Sequence, residues 1–328
     1  MRFPVKRPRR LRKDSNIRRL VRDVKIGKSD FIYPIFVKEG LDEKEEISSM
    51  SGQYHHSLDS LEKEIIECEG LDIPAVMIFG IPEDTDERGS SAYDEQGIVQ
   101  RAVRRIKETS NIEVFTDVCL CHYTSHGHCG MIRDGELQND ETLEILDEVA
   151  LSHAQAGADF VAPSSMIDGQ VASIRETLDK EGYEDIGIMS YSAKFASNYY
   201  GPFRDAAESC PEDSCGLEDR TTYQMDYQVK GRGQPIEEIR MDLEEGADIV
   251  MVKPALPYLD IISKASETLD VPMAAYSVSG EYQMLKSSVE NNIFCEEVLD
   301  ETLYSIKRAG ADIIITYFAK EMIKNEKI

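Results

Sequence analysis

No stretch of eighteen or more apolar residues occurs in the chain, which excludes a membrane-spanning helix, because crossing a bilayer takes about 20 such residues. An apolar leader is also missing: the first residues are charged where a secretory signal would carry its hydrophobic segment, so the expected location is the cytoplasm. Low-complexity tracts are absent apart from a basic N-terminal segment, and no composition shift marks a boundary between domains. Cysteine is sparse and odd in number: Cys68, Cys119, Cys121, Cys129, Cys210, Cys215 and Cys295. Such a set in a long chain without a leader disfavours a disulfide framework and favours thiols that hold a metal or react.

What is present is 328 residues with 41% hydrophobic content, enough for one large core or two average ones. The net charge of −25 is uneven. Residues 1–30 carry twelve Lys/Arg against three Asp/Glu, while the remainder holds 25 basic and 59 acidic residues, a charge of −34. A basic arm on an acidic body can dock on a second copy of that body, bind nucleic acid, or stay solvated. Nucleic acid is disfavoured, because few aromatics interleave the arm and the body would repel phosphates. A mitochondrial presequence is disfavoured by the arm's having only Ser15 and Ser29 as serines. The expected division is therefore an assembly arm at 1–30 and a catalytic body at 31–328.

In the body, short β-rich apolar runs alternate with amphipathic stretches of helical length. Strands are predicted at 31–37, 75–79, 113–118, 160–162, 187–191, 249–252, 273–276 and 313–316, with helices at 58–69, 95–108, 141–156, 170–181, 236–245 and 296–308. Eight parallel strands with crossover helices predict a (β/α)8 barrel. Gly-Ala-Asp recurs at 157–159, 246–248 and 310–312, each time between a helix and a strand. Glycine can take the left-handed C-cap there, so the repeat reads as structural and lies opposite the catalytic mouth. The longest irregular stretch, about 200–233, follows the fifth strand and reads as a lid over that mouth.

Lys194 and Lys253 stand at the C-terminal ends of the fifth and sixth strands, which converge on the mouth of a barrel. Burial and a neighbouring cation depress a lysine's pKa, leaving a neutral amine that attacks a carbonyl to form a Schiff base. Either lysine alone could equally be an ion-pair partner; two in matching positions favour chemistry. Cys119, Cys121 and Cys129 follow the third strand, three thiols within eleven residues, which suits a soft tetrahedral zinc site with one open position. His122, His126 and His128 are available as a fourth, structural ligand. Arg204 and Arg220 flank the lid and could clamp carboxylates, or be solvated. Ser279 and Tyr317, after the seventh and eighth strands, could bind a second anion or simply pack.

Together these residues resemble the porphobilinogen synthase (5-aminolevulinate dehydratase) family over nearly the whole chain. The likeness rests on Phe-Ile-Tyr-Pro-Ile-Phe-Val at 31–37, Ser-Met-Ser-Gly-Gln-Tyr at 49–54, the cysteine loop, Ala-Pro-Ser at 162–164, Met-Ile-Asp-Gly-Gln at 166–170, Val-Ser-Gly-Glu-Tyr at 278–282, and the segments 189–204, 251–260 and 305–312. The resemblance implies a (β/α)8 barrel whose arm wraps a neighbouring subunit, commonly in a homo-octamer. It implies a lyase that condenses two 5-aminolevulinate molecules to porphobilinogen with loss of two waters, in tetrapyrrole biosynthesis. Lys253 would form a Schiff base with the propionate-side substrate and Lys194 with the acetate-side one. Arg204, Arg220 and Gln224 would hold the acetate-side molecule, and Ser279 and Tyr317 the propionate-side carboxylate. Cys119, Cys121 and Cys129 would carry zinc, Asp117 would assist proton transfer or ammonium recognition, and Glu238 would bind an activating magnesium. Ser51 departs from the family's usual proline, and Cys210 and Cys215 lie outside its pattern.

Two rivals remain at this level. A class I aldolase on the same barrel would use one strand-end lysine and need neither the second lysine nor the cysteines. A non-catalytic assembly or nucleic-acid-binding protein would use the arm and treat the barrel as scaffold.

Overall fold

The computed structural model describes residues 5–209, 215–217, 219–229 and 233–325. The predicted strands all form: β1 (Phe31–Lys38), β2 (Ala75–Ile81), β3 (Glu113–Val118), β4 (Phe160–Pro163), β5 (Gly187–Lys194), β6 (Ile249–Lys253), β7 (Met273–Ser277) and β8 (Ile313–Thr316). They pair in parallel in chain order, and β8 closes on β1 through Phe31 opposite Ile314 and Ile32 opposite Ile315. β2 is buried along its whole length and β1 at all but its last residue. This is why these strands read as continuous apolar runs instead of alternating ones: helices cover one face and the barrel interior the other.

The helices are α1 (Leu58–Gly70), α2 (Ile98–Thr109), α3 (Asn139–Ala156), α4 (Gln170–Lys180), α5 (Gln234–Glu244), α6 (Leu259–Thr268), α7 (Ser279–Glu290), α8 (Glu297–Ala309) and α9 (Ala319–Lys324). Local signals set their ends. Ser57 caps α1 by accepting from the Ser60 N–H at 3.2 Å. α2 buries Ile98, Val99, Ala102, Val103 and Ile106, a stripe at helical spacing. α6, α7 and α9 are additions to the predicted set. Gly280 obscures α7 in the sequence, and the structure gives its reason: a Cβ at 280 would collide with the backbone of Tyr199, where the lid segment crosses the helix.

The Gly-Ala-Asp repeat is structural, as expected. Gly157, Gly246 and Gly310 all have positive φ, between +102° and +122°. Each aspartate then bridges back to the start of the preceding strand. Asp159 Oδ2 accepts from the Val114 N–H at 2.7 Å, Asp248 from Ile188 at 2.8 Å and Asp312 from Met273 at 3.0 Å, while each aspartate's own N–H donates to the same residue's carbonyl. Three copies of one clasp thus tie neighbouring strands at the end of the barrel opposite the lysines.

In the basic arm, the short helices Pro8–Leu11 and Ser15–Leu20 bury none of their residues, and Val5, Leu11, Leu20 and Val21 are exposed. The arm first enters the core at Ile26. The segment predicted as an irregular lid, about 200–233, contains a short helix, Gly201–Ala206. It is fastened to the first barrel unit through Ser49 Oγ donating to Pro202 O at 3.1 Å, His55 Nε2 near Ala206 O at 2.5 Å and an ion pair between Lys38 and Glu208.

Candidate active site

β5 was expected to stop at residue 191, but it continues to Lys194 because a bulge keeps it paired with β6. Ser190 faces Val250, then Ala193 faces Val252 and Lys194 faces Lys253. The extra residue on β5 is what brings the two lysines level. Both are buried. Lys194 Nζ donates to Ser164 O at 2.5 Å. Lys253 Nζ lies 4.5 to 5.4 Å from the ring centroids of Tyr276, Tyr191, Phe203 and Tyr200. Burial and the Lys194 charge pull the Lys253 amine down from 10.5 to about 7, against the opposing pull of Asp117. Its backbone carbonyl accepts from Phe195 N–H at 3.0 Å and Tyr200 O–H at 3.2 Å.

Asp117, near the end of β3, is buried, and its Oδ1 has no hydrogen-bond partner. Just beyond it the chain turns, and Thr124 Oγ1 donates to His128 O at 2.9 Å, folding the loop back on itself. This brings Cys119, Cys121 and Cys129 together, all buried, with their sulfurs within 4.8 Å of one another. Among the described residues they are the one group of three or more potential ligands so placed. Burial pushes Cys119 up to about 11; its hydrogen bond to Cys119 and burial push Cys121 up to about 12. Thiols packed this tightly favour the protonated form until a cation arrives, which is how an unneutralised thiolate site behaves.

No histidine completes the set. His122 Nδ1 lies 3.2 Å from Gly80 O; His128 uses Nδ1 on Tyr223 Oη and Nε2 on Leu217 O, each at 3.0 Å; His126 Nδ1 accepts from the His128 N–H at 3.2 Å. His122 Nε2 and His126 Nε2 carry no hydrogen bond, yet among the described residues no histidine joins the sulfurs in one ligand cluster; three sulfurs without a fourth protein ligand match the open pattern more than the closed, structural one. The residues fit a soft divalent metal.

Arg220 is buried near the sulfurs, and its Nη2 donates to Gly127 O and Ser209 O at 2.7 Å each. Arg204 is half-buried on the lid helix. Gln224 is buried with neither end of its amide bonded. Ser279 Oγ accepts from the Phe203 N–H at 2.9 Å and donates to Tyr199 O at 3.4 Å, so it is engaged with the lid. Tyr317 Oη is 3.1 Å from Tyr276 Oη. Glu238 is not with this group. It lies in an adjoining cavity of about 490 Å³, lined by Asp168, Asp226, Asp242, Glu245 and Gln224 among others. There burial, Asp242 and Asp168 raise its pKa. Cys210 lies outside the described residues, whereas Cys215 is half-exposed in the lid.

The aromatic box around Lys253 was not singled out from sequence. Tyr191 and Tyr276 sit on strands where tyrosine reads as ordinary core, and Tyr200 and Phe203 reach the amine because the segment after β5 packs against it. The fold and site together define a (β/α)8-barrel enzyme whose mouth sets two in-register buried amines beside a three-thiol cluster.

Comparison with known proteins identifies which such enzymes these are. The model of the family described as delta-aminolevulinic acid dehydratase matches residues 5–325, and the chain belongs to that family. Delta-aminolevulinic acid dehydratase of Methanothermus sociabilis is 54% identical over 324 residues, covering 99% of each chain. The Bacillus subtilis protein of the same name is 50% identical over 320 residues, covering 97% of each. The crystal structure of delta-aminolevulinic acid dehydratase (porphobilinogen synthase) from Toxoplasma gondii, in complex with the reaction product porphobilinogen, superposes with a TM-score of 0.94 at 42% identity, covering 98% of this chain and 92% of that one.

Proposed function

We propose that this enzyme is a lyase that condenses two molecules of 5-aminolevulinate to porphobilinogen, losing two waters, as a step of tetrapyrrole biosynthesis. The observation that carries the reading is the pairing of Lys194 with Lys253 beside the cysteine cluster. With its amine lowered to about 7, Lys253 has a substantial neutral fraction at physiological pH and can attack the ketone of the propionate-side substrate. The resulting carbinolamine loses water to give an imine. Lys194 does the same for the acetate-side substrate. The product has one new carbon–carbon and one new carbon–nitrogen bond, and both lysines are released.

Ser279 and Tyr317 receive the propionate-side carboxylate, Ser279 exchanging its lid contacts for the ligand. Arg204, Arg220 and the unbonded amide of Gln224 receive the acetate-side molecule. Asp117 offers its unpartnered oxygen to a substrate ammonium or to a proton in transit. Cys119, Cys121 and Cys129 would hold zinc, which supplies a Lewis acid at the acetate-side substrate. Glu238 would help hold an activating magnesium, a hard cation suited to the carboxylates that line its cavity. The exposed apolar residues of the arm suit docking on a second copy within a homo-octamer. Neither nucleic acid nor membrane is a partner in this reading: no helix among the described residues is long and apolar enough to cross a bilayer, and the acidic body repels phosphates. The cytoplasm is the proposed location.

The deciding experiment measures porphobilinogen formation from 5-aminolevulinate by thiol-protected enzyme, with metal content determined on the same sample. Turnover with about one zinc per competent site is expected; zinc without turnover, in properly assembled protein, refutes the substrate assignment.

A further inference from the structure

Glu281, in the first turn of α7, is fully buried. Oε2 accepts from the Val278 N–H at 2.5 Å, Oε1 accepts from the Leu256 N–H, and the Ala255 N–H also bonds the carboxylate. These donors come from two turns. Ala255 and Leu256 follow Lys253 and Pro254 at the end of β6; Val278 precedes Ser279 at the end of β7. The two strands are neighbours in the barrel.

Capping α7 needs only the bond to Val278, and a half-exposed glutamate makes that bond in an ordinary capping box. The bonds to the turn after Lys253 are beyond what any cap requires. They are also costly, since a carboxylate taken out of water without a cation is strongly disfavoured. Burial accordingly pushes Glu281 up to about 7, while the three backbone N–H groups hold the charged form. The Lys253 carbonyl is held separately, by the Phe195 N–H and the Tyr200 O–H, so Glu281 adds a tie between this turn and the turn carrying Ser279.

We propose that Glu281 is a positioning residue that locks the turn following Lys253 to the turn carrying Ser279, fixing the distance between the amine that attacks a substrate carbonyl and the hydroxyl that receives the same molecule's carboxylate. The inference rests on the functional reading above and names a residue that touches no substrate. If the span between the two anchor points changes, the carbonyl moves off the amine even though each group remains in place.

The test compares wild type, Glu281→Gln, Glu281→Asp and Asp248→Asn. Glu281→Gln keeps the size but turns an NH2 donor toward a backbone N–H, releasing one turn. Glu281→Asp keeps the charge but is one methylene short of spanning both turns. Asp248→Asn weakens a backbone clasp at the far end of the barrel and controls for lost stability. The readouts are the rate of borohydride-trapped adduct at Lys253 with 5-aminolevulinate, steady-state kinetics, zinc content, assembly and melting temperature.

The expected result for Glu281→Gln is a fall of roughly 10- to 100-fold in trapping at Lys253 and in kcat/KM, consistent with a displaced reacting group. Zinc content and assembly should be unchanged, with a smaller loss in Glu281→Asp. Trapping at the wild-type rate, or a loss that only follows the melting temperature as in Asp248→Asn, overturns the proposal and leaves Glu281 a helix cap. If Glu281→Gln does not assemble, Glu281→Asp decides by the same comparison. Wild-type enzyme that forms no adduct at all overturns the functional reading and this proposal with it.

Discussion

Lys194 and Lys253 are directly opposed on the last rung of the β5–β6 ladder, brought level by a single bulge in β5. Burial and the neighbouring Lys194 amine lower the Lys253 pKa, and this pairing makes a pH prediction with a definite sign. Lys253 has a pKa of about 7 in place of 10.5, so imine formation should fall as pH drops below about 7 and the amine protonates. Lys194→Met removes the charge that lowers it and should move this acid limb to higher pH. Asp117→Asn removes a charge that raises it and should move the limb to lower pH. Borohydride trapping at Lys253 across pH measures both. Separately, Lys253→Met should lower turnover on the order of 10³-fold or more, and near-normal turnover would rule out the covalent mechanism.

Chelation should abolish turnover and zinc should restore it. The readout independent of activity is alkylation. Cys119, Cys121 and Cys129 should be protected when zinc is bound and become reactive after chelation and loosening of the loop, whereas exposed Cys295 and half-exposed Cys215 should react in both states. Full activity in demonstrably metal-free protein would remove zinc from the mechanism.

Arg220 holds Gly127 O and Ser209 O with one nitrogen and lies beside the sulfurs, so it joins the cysteine loop to the lid. Arg220→Lys keeps the charge but cannot form both bonds and still reach a carboxylate. A charge-assisted hydrogen bond contributes about 1.5–3 kcal/mol, so kcat/KM should drop by roughly 10- to 100-fold. The loss should fall on binding of the acetate-side substrate; a variant with unchanged kinetics would make Arg220 merely a loop anchor.

Deleting residues 1–13 should change subunit assembly before it changes the fold, because the arm's helices bury nothing in their own chain. Sedimentation of the truncated protein is the measurement. Retained assembly would show that the arm has another task.

Gly310→Ala should lower stability by about 1–3 kcal/mol. Its φ of +122° disfavours any side chain, and a Cβ would strike Ser266. The site is at the other end of the barrel, so activity per folded molecule should be unchanged while the melting temperature falls.

Strand number, barrel class and most helices were legible in the sequence because parallel strands buried on both faces leave unbroken apolar runs, and αβ turns leave glycines. The cysteine trio was legible as well, since one loop supplies all three sulfurs within eleven residues. Glu238 illustrates the opposite case: its position on a helix was clear, but its separation from the lysines and its place among other carboxylates depend on how α5 packs. The sequence by itself determined which residue types reach the mouth, through the position of each at a strand end. Only the tertiary structure decided their mutual geometry. The β5 bulge that aligns the lysines, the packing of Tyr200 and Phe203 that completes the aromatic box, and the Glu281 bridge between two turns all depend on contacts between separate segments of the chain, which local periodicity does not encode.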